Sequence, residues 1–273
     1  MVDRTLTERV VTTGWGARLT VFAEDSSHFG DFLESGVSWP LETEILLDLV
    51  DEGMTVLDVG ANFGYHTSLF AARVGERGRV VAMEPEPAMA AMLDRNVEAN
   101  GYRNVSTIRA AAGAVDGVAE LWCSTTNFAC HSLNRDLVPA VARSVTVPVI
   151  TLDGLYARNP GFRAPDLVKI DVEGWESEVL IGARATLLTH RPVLWLEFWP
   201  DGLRRNGRSP EQLLLDLTAA RYDLTMVDLV SGETDVVRGA EPVDVCDRQA
   251  ARYRAEGRDD LYGIVYLLAV PND

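Results

Sequence analysis

The spacing of apolar residues changes several times along the chain, and each change predicts an element. Residues 9–24, RVVTTGWGARLTVFAE, place two β-rich runs on either side of Gly14, Trp15 and Gly16. This predicts a hairpin that adds strands to an edge or covers a cleft. A polar and aromatic segment follows, DSSHFGDFLESGVSWP. Over 40–50, Leu41, Ile45, Leu46 and Leu49 recur at helical spacing, and Gly53 closes that helix. Short apolar runs then alternate with helical stretches. Strands are expected over 55–59, 79–84 and 105–109, with helices near 67–74 and 87–99. Strands separated by helices indicate βαβ units and a parallel sheet.

The alternation breaks at Asp116-Gly117. VAELWCS and SVTVPVITL have strand patterns, so an inserted antiparallel pair is expected, carrying the loop between them. Alternation resumes with a strand over 166–171, a helix over 175–188 and a strand over 193–198. A helix over 209–221 starts at Ser209-Pro210-Glu211, and strands follow over 223–229 and 262–270. The connection over 230–260 is long and charged, and CDRQAARYRAEG within it reads as helical. A connection of that length is usually functional or mobile. No repeat or low-complexity linker divides the chain after Met54. The expected organisation is a hairpin and helix covering the cleft over 1–53, then one domain over 54–273.

One stretch within this pattern carries chemistry, MTVLDVGANFGYHTSLF, residues 54–70. A buried strand turns on Gly60 and Gly64 into a helix. Such a turn sets backbone N–H groups and a helix N-terminus at a strand's carboxyl end, where ligands bind in open α/β sheets. Dinucleotide turns read G-x-G-x-x-G and hold a pyrophosphate. Here Asp58 ends the strand, and it would repel a pyrophosphate but suits a cation or an amino group. S-adenosylmethionine has an ammonium, a sulfonium, a ribose and no phosphate, so it is the ligand expected. The bland alternative is a strand–turn–helix whose glycines only relieve a tight turn. Glu84 in AMEPEP, about twenty positions after Gly64, suits the two ribose hydroxyls. Ala111 and Ala112 are small residues that leave room for a flat adenine. Ala61, Asn62, Tyr65 and Thr67, in the same turn and helix start, complete the expected cofactor set.

A second acidic set lies in DLVKIDVEGWESEVLIG and WLEFWP. Strand alternation puts Lys169, Asp171 and Glu173 on one side if the strand runs that far. A buried lysine needs a carboxylate partner. Glu197 sits in an otherwise apolar strand, and a neighbouring parallel strand would bring it near Asp171 or Glu173. These carboxylates suit either a divalent cation or a general base with a raised pKa. No required metal is expected, because Lys169 can neutralise the set. Asp171 also counts among the cofactor contacts. The plain alternative is an acidic first helical turn, which fits Glu178. Among the histidines, His131 in the inserted loop is a candidate base, beside Asn127. His66 can face the cleft, His28 lies in the polar N-terminal segment, and His190 reads as surface.

Composition narrows the classes. The chain has 273 residues, enough for a sizeable core. The net charge of −16, with no basic run, disfavours nonspecific nucleic-acid binding. No run reaches the ~20 apolar residues of a membrane span, and the N-terminus lacks a signal-peptide core, so a cytoplasmic protein is expected. Cys123, Cys130 and Cys246 show no metal or disulfide spacing.

VLDVGANFGYHT, AMEPEP, TLDGL and VKIDVEGWESEVLIG together resemble the FkbM-like methyltransferases. The resemblance spans about residues 41–199. It implies an α/β fold, the seven-stranded Rossmann-like sheet of order 3-2-1-4-5-7-6 with the last strand antiparallel, here with the hairpin and inserted pair added. It implies S-adenosylmethionine as cofactor at Asp58, Gly60, Asn62, Gly64 and Glu84, and an acidic motif at Asp171, Glu173, Gly174 and Glu176. It also implies O-methylation, often of natural products, sugars or peptides. The reaction needs an aligned nucleophile and a group to take its proton, for which Glu173 or His131 is expected, with Asp171 and Glu197 shaping the site. The expected partner is a small-molecule acceptor, with no nucleic acid or membrane, and a homodimer is compatible with it. Competing readings are an N-methyltransferase, a NAD-dependent oxidoreductase and a non-catalytic binding module.

Overall fold

The alternation becomes an α/β fold in the computed structural model, which describes residues 6–25, 32–257 and 262–272. The elements begin with β1 (Glu8–Thr12), β2 (Arg18–Phe22), α1 (Phe32–Ser35), α2 (Pro40–Leu49), β3 (Thr55–Val59) and α3 (Tyr65–Val74). Next come β4 (Arg79–Met83), α4 (Pro87–Ala99), β5 (Val105–Ile108), β6 (Ala111–Ala112), β7 (Gly117–Ser124) and β8 (Val141–Ile150). The remainder is α5 (Leu152–Arg158), β9 (Leu167–Ile170), α6 (Glu176–Gly182), α7 (Arg184–His190) and β10 (Val193–Phe198). It ends with α8 (Pro200–Arg205), α9 (Pro210–Ala219), β11 (Tyr222–Val227), β12 (Thr234–Val236), α10 (Glu241–Ala255) and β13 (Val265–Pro271). Two compact units result: Met1–Ala111 with Val118–Pro148, and Ala112–Gly117 with Val149–Asp273.

In the first unit β3 and β5 flank β4, all parallel, with Asp58 opposite Ala82 and Met83 opposite Ile108. This is the expected 3-2-1 order. Every residue of β3 is buried, as a strand covered on both faces requires. The hairpin β1–β2 is antiparallel, with Val10 opposite Thr20. Its edge is closed by side chains. Thr20 N–H donates to Asn96 Oδ1 (2.7 Å) and Asn96 Nδ2 donates to Thr20 O (3.0 Å). Asn100 does the same for Arg18, at 2.8 Å in both directions. Two amides four residues apart thus stand in for a neighbouring strand and block edge pairing. Leu19, Val21 and Phe32 pack with Tyr65 beneath the hairpin.

In the second unit β9 and β10 are parallel, and β13 runs antiparallel between β10 and β11. This is the expected 4-5-7-6 order, with β12 added beyond β11. Several boundaries differ from expectation. The helix expected over 175–188 is two, parting at Ala183. Beside that break, a Cβ on Gly182 would stand 2.0 Å from the Gly113 carbonyl oxygen, an approach that only glycine permits. Thr151 ends no strand. Its hydroxyl accepts from Gly154 N–H (3.0 Å) and starts α5 instead. The charged connection contains a longer helix than expected, α10, with proline in its first turn. No helix among the described residues is long and apolar enough to cross a membrane.

Candidate active site

The glycine turn is held by backbone bonds to the next strand. Gly60 and Ala61 N–H both donate to Met83 O (3.0 and 2.9 Å). Gly60 (φ 82°), Asn62 (φ 50°) and Gly64 (φ 95°) are left-handed. At Gly64 the conformation requires glycine, and a Cβ would also fall 2.6 Å from Leu93 Cδ1, which would have to move. Asn62 tolerates its conformation because its Oδ1 accepts from Phe63 N–H (2.7 Å).

Glu84 follows β4 and is 6% exposed. Its Oε2 accepts from Asn62 N–H (2.8 Å) and its Oε1 from Glu86 N–H (2.7 Å). Strand end and glycine turn therefore meet at one carboxylate. Burial pushes that carboxyl up to about 7, the two backbone bonds hold it down, and Glu86 and Asp58 add to the rise.

Other expected cofactor residues have structural work. Asp58 is fully buried, and its Oδ2 accepts from Thr67 Oγ1 (2.6 Å). It is enclosed in this structure, and Thr67 orients it. Tyr65 is also scaffold. Its hydroxyl accepts from Ser38 N–H (2.9 Å), donates to Ser38 O (3.1 Å) and lies 2.9 Å from Thr43 Oγ1. Ala61 packs against Ala82 and Leu93, and the alanines of β6 are buried. His66 lies 3.4 Å from buried Glu42, which gives it a structural partner.

The inserted loop is tied to the glycine turn. Asn62 Nδ2 donates to Phe128 O (3.0 Å), and Phe128 N–H donates to Asp25 Oδ1 (2.9 Å). Phe22 meets Phe128 edge-on, so the end of the hairpin reaches the loop. Asn127 shapes this turn, its Oδ1 accepting from Ala129 and Cys130 N–H (3.0 and 3.2 Å). His131 is not placed as a base. Its Nδ1 accepts from Ser124 N–H (3.2 Å), which puts the neutral ring's proton on Nε2 and makes that atom a donor. Burial lowers its pKa, against the pull of Glu86 and Asp25. His28 lies outside the described residues.

The second unit carries the other acids. β9 ends at Ile170, short of Glu173, so alternation does not align them. Left-handed Glu173 (φ 57°) and Gly174 (φ 87°) turn the chain instead. Carboxylate oxygens of Asp171, Glu173 and Glu197 come within 4.8 Å of one another, close enough to hold a cation. Lys169 Nζ, buried, lies 3.4 Å from Asp171 Oδ2 and supplies one positive charge. Sequence reasoning placed Glu176 in the acidic motif but passed over Asn206 and Tyr266. Glu176 Oε1 accepts from Val172 and Gly174 N–H (3.2 and 3.1 Å), Asn206 Nδ2 donates to Gly174 O (2.7 Å), and Tyr266 OH reaches Asp171 Oδ2 (3.5 Å). The expected antiparallel last strand was the available signal for Tyr266, which lies opposite Glu197. Glu176 Oε2 and Glu197 Oε2 are buried, and among the described residues no N–H or hydroxyl donor reaches them. Burial pushes Glu176 up to about 7. Glu197 rises well above the ordinary value, first from burial and then from Asp171, Glu173 and Glu176. A proton on Glu197 lets it donate to Glu176, which two carboxylates cannot do. Glu178 pairs with Arg208 Nε (2.6 Å) at the surface, as an acidic first turn would.

Fold and turn together define the class, a Rossmann-like α/β methyltransferase. Residues 58–224 match the family described as Methyltransferase FkbM domain. That is more than half of the chain, which therefore belongs to the FkbM methyltransferase family, a family of S-adenosylmethionine-dependent enzymes. The chain is also similar to the protein-L-isoaspartate O-methyltransferase of Methanothrix thermoacetophila, 43% identical over 74 residues, covering 26% of this chain and 35% of that protein. With protein-L-isoaspartate O-methyltransferase 1 of Archaeoglobus fulgidus it shares 42% identity over 74 residues, 26% of this chain and 34% of the relative. The match thus spans about a third of these curated relatives' length. Among solved structures, the FkbM methyltransferase of Methylobacillus flagellatus is 18% identical, with a TM-score of 0.43, over 63% of this chain and 39% of that one.

Proposed function

We propose that the protein binds S-adenosylmethionine through its first unit and transfers the methyl group to an oxygen of a small-molecule acceptor. The observation that carries this reading is Glu84. A buried carboxylate joins the end of β4 to the glycine turn through Asn62 N–H. No basic residue lies in 58–64. An acidic acceptor at a turn without basic residues suits a neutral diol and not a pyrophosphate.

When bound, the cofactor supplies a methyl group already activated by its sulfonium. The protein's own work is then alignment and proton removal. Glu84 accepts from the ribose hydroxyls through lone pairs that its backbone donors leave over. The N-terminal turn of α3, entered through Gly64, offers further N–H groups. Within the second unit Asp171 and Glu173 are the half-buried acids of the cluster and Glu197 the buried one. Glu197, held well above its ordinary value, and Glu176, raised to about 7, lower the local negative charge together with Lys169.

Calorimetry tests the cofactor and a labelled-methyl assay tests the reaction. S-adenosylhomocysteine should bind and NAD should not. A panel of hydroxylated and aminated small molecules, incubated with methyl-labelled cofactor, should carry label on oxygen. Binding of NAD in place of S-adenosylhomocysteine, or label on nitrogen alone, would sink the reading.

A further inference from the structure

We propose that Arg143, carried on the inserted strand β8, is a positioning residue for the cofactor: it anchors Glu86 and, through Glu86, keeps the Glu84 carboxylate aimed and charged for the ribose. The inference rests on the reading of Glu84 as the ribose acid.

Glu86 is 1% exposed and stands two residues after Glu84. Its Oε2 accepts from Ala88 and Met89 N–H (2.7 and 2.8 Å) and caps α4. Its Oε1 pairs with the Arg143 guanidinium. Its own N–H donates to Glu84 Oε1 (2.7 Å). A guanidinium, a capping carboxylate and a backbone N–H thus form one chain that ends on the ribose acid. Arg143 itself is half exposed, whereas the acid it serves is enclosed.

The charges around the pair make this contact matter. Asp58 from β3 and Glu86 itself disfavour a negative Glu84. Cys123 from β7 faces Glu84, Glu86 and Arg143, and burial keeps it a neutral thiol. His131 faces Glu86, Asp25 and Arg143, and burial keeps it neutral as well. Of these groups Arg143 alone carries positive charge. Without it, the Glu86 charge faces Glu84 with no counter-charge, and Glu84, on which that repulsion acts, takes up a proton more readily. Cofactor affinity should then fall at and below neutral pH and recover in alkali.

The test is the dissociation constant of S-adenosylhomocysteine, measured by calorimetry from pH 6 to 9. Wild type is compared with Arg143→Ala, Arg143→Lys, Glu86→Gln and the double variant Glu86→Gln/Arg143→Ala. Arg143→Ala should bind about eight-fold more weakly at pH 6.5, the effect of a one-unit shift in the ribose acid, and approach wild type at pH 9. Arg143→Lys should restore most of the affinity. The double variant should bind like wild type near neutrality, because glutamine still caps α4 and needs no counter-charge. A loss in Arg143→Ala that is equal at every pH, or one that Glu86→Gln does not rescue, overturns the inference. Where Arg143→Ala fails to fold, the lysine and double variants decide it in the same way. If wild type binds no S-adenosylhomocysteine at any pH, the cofactor reading itself falls, and this inference with it.

Discussion

Glu84 and Glu197 form a natural pair for comparison. Both are buried acids at the carboxyl ends of strands, and burial raises both. Their neighbours differ. Glu84 meets two backbone N–H donors, which favour its charged form. Glu197 meets Asp171, Glu173 and Glu176, which favour its neutral form, and among the described residues no N–H or hydroxyl donor reaches its Oε2. Equal burial therefore produces two kinds of acid. One, at about 7, stands between acid and anion near neutrality, and its backbone donors favour the anion that accepts hydrogen bonds from a neutral ligand. The other keeps a proton and works by controlling charge among its neighbours.

Substitution at Glu84 should have the largest effect. Glu84→Ala should weaken S-adenosylhomocysteine binding by about 1–3 kcal/mol, the range for losing a charged hydrogen-bond partner. Glu197→Gln should leave that affinity unchanged in the same titration. Equal losses in both variants would erase the distinction between the two acids.

Stability against pH sharpens it further. Glu176 has a folded-state pKa of about 7, above its ordinary value of 4.5. The folded state therefore binds its proton more tightly than the unfolded chain does. Stability from this group is fully present below about pH 4.5 and is lost as pH rises through about 7. Glu176→Gln keeps an oxygen for Val172 and Gly174 N–H and removes that loss. Its melting temperature relative to wild type should rise steadily between pH 5 and pH 8, as read by scanning calorimetry. A difference that stays flat or shrinks would mean that Glu176 is ionised throughout.

His131 should have a smaller effect. Since its Nδ1 is an acceptor from Ser124, His131→Gln should lower turnover by no more than about ten-fold, as for one neutral hydrogen bond. The midpoint of the pH–rate profile should stay in place, and its disappearance would restore His131 as the base. The smallest effect is expected from metal removal. Lys169 already supplies a cation to Asp171, so EDTA should leave turnover unchanged. Loss of turnover with rescue by magnesium would assign the Asp171, Glu173 and Glu197 oxygens to a metal.

Much of this was legible locally. Gly60 and Gly64 mark a turn because their left-handed backbone disfavours side chains, and Asp58 and Glu84 stand at strand ends that the apolar runs delimit. The order of strands within each unit agrees with what the FkbM resemblance implied. The hairpin and the two long inserted strands were also visible, from β-rich runs broken by glycine or polar residues, whereas β6, which makes theirs a three-stranded sheet of order β6-β8-β7, was not. The acids at 171, 173 and 197 were visible as charges in apolar surroundings.

The sequence by itself determined which acids exist, where strands end, and which turn needs glycine, because these depend on neighbouring residues and backbone sterics. Only the tertiary structure decided what each group does. Contacts between distant segments cannot be read from a local pattern: Tyr266 reaches Asp171 across 95 positions, and Asn96 reaches Thr20 across 76. The tautomer of His131 follows from one backbone N–H, and the contrast between Glu84 and Glu197 follows from which groups the fold sets beside them. Hydrogen bonds and charge–charge interactions act over a few ångströms of space whatever the separation along the chain, so the ionisation and role of a buried group belong to the folded molecule.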